Sequence, residues 1–283
     1  MVTIRNPIEW GADQLRHAAA HVGSAGRSVR GEAAAAPEVR HIRIDDLKEV
    51  LAKGFEDFGA YRTDVVFLCV IYPVIGLVLA RFAFDADLIP LLFPLASGFA
   101  LLGPVAAIGL YEMSRRREQG MKASWADAFG MVGAPAFGPI LLLGLALFTI
   151  FLLWLLAAQI IYMATLGPEP PASLMAFLGD VFTTGAGWTM IILGMGVGFL
   201  FAVLVLAISV VSFPMLLDRD VGLGVAVSTS VRAVAANPIP MAAWGIIVAG
   251  GLVAGSIPAF LGLIFVMPVL GHATWHLYRR VVQ

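Results

Sequence analysis

Charge is what this sequence has least of. Only 13% of its 283 residues are Asp, Glu, Lys or Arg, against roughly 25% in soluble domains. The hydrophobic share is 60%, more than a water-soluble fold of this length can hide, so the expected solvent is lipid. A disordered chain, a secreted disulfide scaffold and an ordinary cytosolic enzyme are thereby excluded. Cysteine is nearly missing as well. Cys69 stands alone inside an apolar run, which rules out an intrachain disulfide and a cysteine-based metal centre. A net charge of -1 offers no clustered basic field, and no nucleic-acid partner is expected. The sequence has no Gly-x-Ser-x-Gly elbow, phosphate loop or His-Glu-x-x-His motif, so no catalytic residue is assigned. Residues 1–63 are polar, and the first long apolar run starts near Val65, so no secretory leader is expected.

What is present is a succession of apolar runs. A bilayer core needs roughly 20 apolar residues in a helix, because backbone groups there find no water. Runs at 65–84, 88–111, 139–166 and 188–213 meet or approach that length. The stretch 241–277 has no charged residue and is too long for one helix. Gly255-Ser256-Ile257-Pro258 supplies a turn, dividing it into spans at 241–256 and 258–277; a bent re-entrant pair is the alternative. The expected fold is an all-α integral membrane protein with six transmembrane helices filling residues 64–283. Ahead of it lie a flexible tail at 1–39, with a short helix over 7–22, and a helix at 40–63. In that helix Leu47, Val50, Leu51, Phe55 and Phe58 recur at three- and four-residue spacing, opposite Lys48, Glu49, Lys53, Glu56 and Asp57. The pattern is amphipathic; the helix lies on the membrane surface or packs under the bundle. After a stiff turn at 166–172, Leu174, Met175, Phe177, Leu178 and Val181 mark a further short helix, expected on the periplasmic surface.

Basic residues mark the cytoplasmic side of a bundle. In the six-span arrangement 17 of 18 Lys and Arg fall on one side and only Arg81 on the other. Both termini are therefore expected in the cytoplasm. The connections after spans two and four look alike: a charged turn ending in Gly120 or Gly222, a short helix (124–129 or 225–236), then Pro135 or Pro238. They suggest a parallel repeat of hairpins.

Several stretches resemble a known family: AYRTD at 60–64, LASGFALLGP at 95–104, YEMSRRREQG at 111–120, SFPMLLDRD at 212–220 and GHATWHLY at 271–278. Over residues 40–282 the chain is similar to a proteobacterial family of multi-pass inner-membrane proteins of unknown function. The resemblance implies the bacterial inner membrane and this architecture, and supplies no reaction. Some relatives carry a cytochrome c oxidase component label. Of five histidines, His17, His21 and His41 lie before the spans; the remaining two are too few for the haems and copper of a catalytic oxidase subunit, while an accessory subunit stays open.

Those two, His272 and His276, share a helical face. They are the candidate metal or haem ligands, although no carboxylate or thiolate is near them in sequence and a helix-end anchoring role competes. No other cofactor is expected. Gly194, Gly196 and Gly198 in span four and Gly251 and Gly255 in span five form small-residue seams for close packing, within the bundle or between copies. Gly271 lets another helix approach the histidine pair. Arg115, Arg116, Arg117 and Lys122 are candidates for anionic lipid head groups, or are simply the orientation signal. The absence of charge inside the spans argues against ion-coupled transport. The expected role is a non-enzymatic scaffold or accessory subunit of a membrane complex or homo-oligomer. The alternatives are a transporter or channel for a small neutral or amphipathic solute, and a metal- or haem-binding respiratory accessory protein.

Overall fold

The computed structural model describes residues 37–85, 88–121 and 136–283. The expectations for residues 1–36, the helix at 124–129, Lys122 and Pro135 lie outside them, so the hairpin repeat meets the structure only in its second copy. There Leu223–Ala236 is a helix, as expected for 225–236.

Among the described residues the regular structure is helical, apart from one isolated β-bridge. Eleven helices follow one another: α1 (Ile44–Cys69), α2 (Ile71–Asp85), α3 (Leu92–Ala106), α4 (Ile108–Glu118), α5 (Phe137–Thr165), α6 (Leu174–Thr183), α7 (Gly185–Ser209), α8 (Ser212–Asp218), α9 (Leu223–Ala236), α10 (Pro238–Ser256) and α11 (Leu263–Val281). A 3₁₀ turn at Ile89–Leu91 opens α3. The α1 start is capped from within, Asp46 accepting from the Arg43 N–H at 2.7 Å, with Asp45 and Asp46 at the positive helix end.

Prolines account for two of the breaks. Pro73 and Pro214 clash with carbonyls four residues earlier, where α1 ends at Cys69 and the chain turns at Val210. Pro94 falls in the first turn of α3, and Pro104 precedes the break at Ala107. Pro268 is absorbed within α11.

Four helical runs among the described residues are long and apolar enough to cross a membrane: Ile89–Glu118, Phe137–Thr165, Gly185–Asp218 and Pro238–Ser256. They coincide with the expected spans two to five. The first expected span falls on the end of α1 and on α2, which has 15 residues. The sixth falls on α11, which begins after a turn over 257–262. α11 is apolar for a reason of its own. Every residue from Met267 to Trp275 is buried, because α1, α4 and α10 surround the helix. A helix apolar all round belongs in an interior, protein or lipid. α5 and α7 show the other pattern: Leu152, Leu156, Ile160, Ile192, Phe199 and Leu200 are all at least 48% exposed, a surface suited to hydrocarbon.

The two ends of the described chain meet. Val39 pairs with Val282, the Arg40 N–H donates to the Val281 carbonyl at 2.8 Å, and the Gln283 N–H donates to Glu38 at 3.1 Å. Residues 38 and 283 thus share one end of the bundle, where the ion pairs also gather.

Candidate functional site

At that charged end α1 runs beside α11, and the buried stripe of α1 is Leu47, Val50, Gly54 and Asp57. This corrects the expected amphipathic face by about one helical position. Phe55 points outward, 61% exposed, while Asp57 turns inward, 4% exposed. Gly54 permits the approach: a Cβ there would stand 2.7 Å from the Ala273 Cβ and 2.8 Å from the Val269 carbonyl. On the other side of α11, a Cβ at Gly271 would stand 2.6 Å from the Leu110 side chain. The expected close approach at Gly271 is therefore made by α4.

Asp57 is the centre of what these contacts enclose. Its Oδ2 accepts from the Ser114 hydroxyl at 2.5 Å and from His276 Nε2 at 2.9 Å. Its Oδ1 accepts from Arg117. Ser114 Oγ also lies 2.7 Å from His272 Nδ1. A carboxylate can only accept, so the single Ser114 proton points to Asp57 and His272 donates its Nδ1–H to Ser114. His272 Nε2 is then a lone pair, and it is buried without a hydrogen-bond partner. Burial pushes the Asp57 carboxyl up, but the bonds from His276 and Ser114 and the nearby imidazoles more than offset it, holding the group below its ordinary range.

Around this centre lies a ring of pairs. Glu112 accepts from Arg115 and Arg116, each at 2.8 Å. Glu118 accepts from Trp275 Nε1 and Arg279, both at 3.0 Å. Asp218 takes the Tyr278 hydroxyl at 2.6 Å, and Asp46 takes Arg280 at 2.5 Å. Asn237, 2% exposed, holds the incoming strand by accepting from the Ile42 N–H at 2.8 Å and donating to the Arg40 carbonyl at 3.0 Å. A polar surface cavity of about 240 Å³ opens between Arg40, Lys53, Glu118 and Arg280, with His276 in its wall. His276 therefore connects the surface to the buried carboxylate.

The structure thus gives the histidine pair the carboxylate that sequence spacing did not, from a helix 219 residues away. Both Asp57 oxygens, Ser114 Oγ, His272 Nδ1 and His276 Nε2 are engaged with one another and with Arg117, which leaves His272 Nε2 unpaired. No three His, Cys, Asp or Glu side chains among the described residues have the arrangement of a metal site. Ser114 is 1% exposed, too enclosed to attack a substrate. The cluster can hold a proton and fix three helices. Of the basic candidates, Arg115 and Arg116 pair with Glu112 and Arg117 with Asp57.

The glycine seams separate. Gly251 meets Val266 and Leu270 of α11, and Gly255 meets Gly262 and Leu263, so the span-five seam packs inside the bundle. Gly198 lies against Trp154, whereas a Cβ at Gly194 or Gly196 would meet nothing within 4 Å.

At the opposite end, α3, α5, α6 and α7 enclose a second cavity of about 490 Å³ whose walls are almost wholly apolar. Trp154, Tyr162 and Val181 form its buried side; Phe93, Phe182 and Met195 stand at its exposed rim. Composition foretold the apolar walls; only the packing of four elements creates the space.

Residues 92–218 match the model of a family described as a predicted integral membrane protein (DUF2189). The matched stretch contains Ser114 and Arg117 but neither Asp57 nor the two histidines. No curated protein and no solved structure matches the chain.

Proposed function

We propose that this multi-pass membrane protein is a non-enzymatic scaffold or accessory subunit of a membrane complex, working through its charged end. The observation that carries this reading is the outer face of α1. Lys48, Glu49, Lys53 and Glu56 are exposed there together with Phe55. The helix behind them is clamped by Asp57, so its apolar side is occupied by α11 and is not free to lie on lipid. A rigidly mounted polar face with one projecting aromatic suits a protein partner, since aromatic anchors dominate such contacts. In the same proposal the chain crosses the bacterial inner membrane six times, with both termini in the cytoplasm. The meeting of residues 38–40 with 281–283 at one end of the bundle supports an even number of crossings, and the basic residues that gather there support the cytoplasmic side.

The test is native purification in mild detergent. A partner at fixed stoichiometry, lost in a Phe55→Ala, Lys48→Glu, Lys53→Glu variant of unchanged melting temperature, is the expected result. A chain that elutes alone, or a partner indifferent to those changes, would reject the reading.

A carrier of a small amphipathic solute is the second reading, favoured by the apolar cavity. The metal- or haem-binding reading has in its support only the shared helical face of His272 and His276 and the unpaired His272 Nε2. It needs bound metal or a haem spectrum in purified protein that disappears in a His272→Ala, His276→Ala variant.

A further inference from the structure

We propose that the cavity between α3, α5, α6 and α7 is a binding site for a single hydrocarbon chain of a membrane lipid. Its size, about 490 Å³, is in the range of ligand sites, roughly 300–1,000 Å³. The polar atoms of its aromatic walls are turned away from the space: Trp154 Nε1 donates to Ser97 at 2.8 Å, and the Tyr162 hydroxyl donates to the Glu169 carbonyl at 2.6 Å. Ser97 in turn donates to the Pro94 carbonyl at 2.7 Å. An anion or a polar solute finds no free side-chain hydrogen-bonding group on these walls, and apolar chain is what they can solvate.

The mouth identifies the source of that chain. Phe93, Phe182 and Met195 line the cavity and are at least 58% exposed. They continue the apolar outer surfaces of α5 and α7, so the slot opens onto the face that meets the bilayer. The inner end is closed by Trp154 and Tyr162, at most 5% exposed. α6 roofs the slot. Its start is capped by Ser173, and it turns Leu174, Phe177, Leu178 and Val181 inward. The inference depends on the membrane location of these helices and is independent of any partner at the charged end.

Gly194 lines the cavity, and Gly196 lies two residues on, outside it. Neither would meet an atom within 4 Å if it gained a Cβ, so leucine fits at both, and only Gly194→Leu fills the slot. The experiment reconstitutes the full chain in vesicles of phosphatidylethanolamine and phosphatidylglycerol. In one arm the vesicles carry a palmitoyl chain with a terminal diazirine; in the other they carry a diazirine isoprenoid lipid. After irradiation the adducts are mapped by mass spectrometry. Enrichment of several-fold on Trp154, Tyr162 and Phe177 over the outward-facing Leu152 and Leu156, with either probe, is expected, and the productive arm names the chain. Gly194→Leu should abolish the enrichment and Gly196→Leu should leave it. Met190→Trp fills the same slot should Gly194→Leu fold poorly. Adducts spread evenly over α5 and α7, or enrichment that survives both filling variants, would each overturn the proposal.

Discussion

The two ends of the bundle are built on opposite principles. At the charged end nearly every group is answered by a named partner, and Asp57 alone joins Ser114, Arg117 and His276. At the other end a cavity of about 490 Å³ is left among aromatic and aliphatic walls. Hydrogen bonds and ion pairs have direction and fix one arrangement. Apolar contact is non-directional, and a membrane can supply whatever hydrocarbon the protein leaves out. The difference explains how one end can be a rigid mount while the other stays receptive.

Perturbations should therefore act unequally on the two ends. The largest effect is expected from Asp57→Ala, which strands Ser114, His276 and the Arg117 charge together. Breaking a fully buried pair costs about 3–5 kcal/mol; Arg117 is still 38% exposed, so a loss of roughly 2–3 kcal/mol is expected, read as a lowered melting temperature in detergent. Gly54→Ala comes next. Its Cβ would press on Ala273 and on the Val269 carbonyl, and overpacking of this kind costs about 1–3 kcal/mol. Asn237→Ala should cost roughly 1–2 kcal/mol through unanswered backbone groups, and limited proteolysis should then cut near residue 40 faster than in the parent. If these three substitutions left the melting curve unchanged, the contrast between the ends would collapse.

Acid should show the same asymmetry. The Asp57 carboxyl is held below its ordinary value, so its contribution is complete above about pH 3.9 and fades as pH falls through the lower folded-state value. Asp57→Asn should flatten that part of the stability curve relative to the parent. The smallest change is expected at the apolar end. Gly194→Leu and Gly196→Leu should each leave stability unchanged or raise it by up to about 1 kcal/mol, from helix propensity alone.

Much of the frame was legible in the residues. Scarcity of charge identified lipid as the solvent, and length with apolarity located the four long runs that begin at Ile89, Phe137, Gly185 and Pro238. The turn after Gly255 and the close approach at Gly271 were also readable, because glycine beside an apolar seam has few other uses. Asp57 was not. Its neighbours Glu56 and Lys53 are solvated, and Phe55 and Phe58 pulled the expected apolar face toward themselves. The true stripe, Leu47–Val50–Gly54–Asp57, follows helical spacing equally well. Choosing between the two needs α11, whose His276 lies 219 residues away. α11 shows a related ambiguity: apolar residues on every side suit burial in protein as well as contact with lipid, and composition does not separate them.

The most direct test of the charged-end mount is a double-mutant cycle between Asp57→Asn and His276→Gln, measured as unfolding free energies in one detergent. Residues sharing a hydrogen bond couple by about 0.5–3 kcal/mol, and a value above roughly 1 kcal/mol is expected here. Additive effects, within about 0.3–0.5 kcal/mol, would contradict the placement of Asp57 against α11.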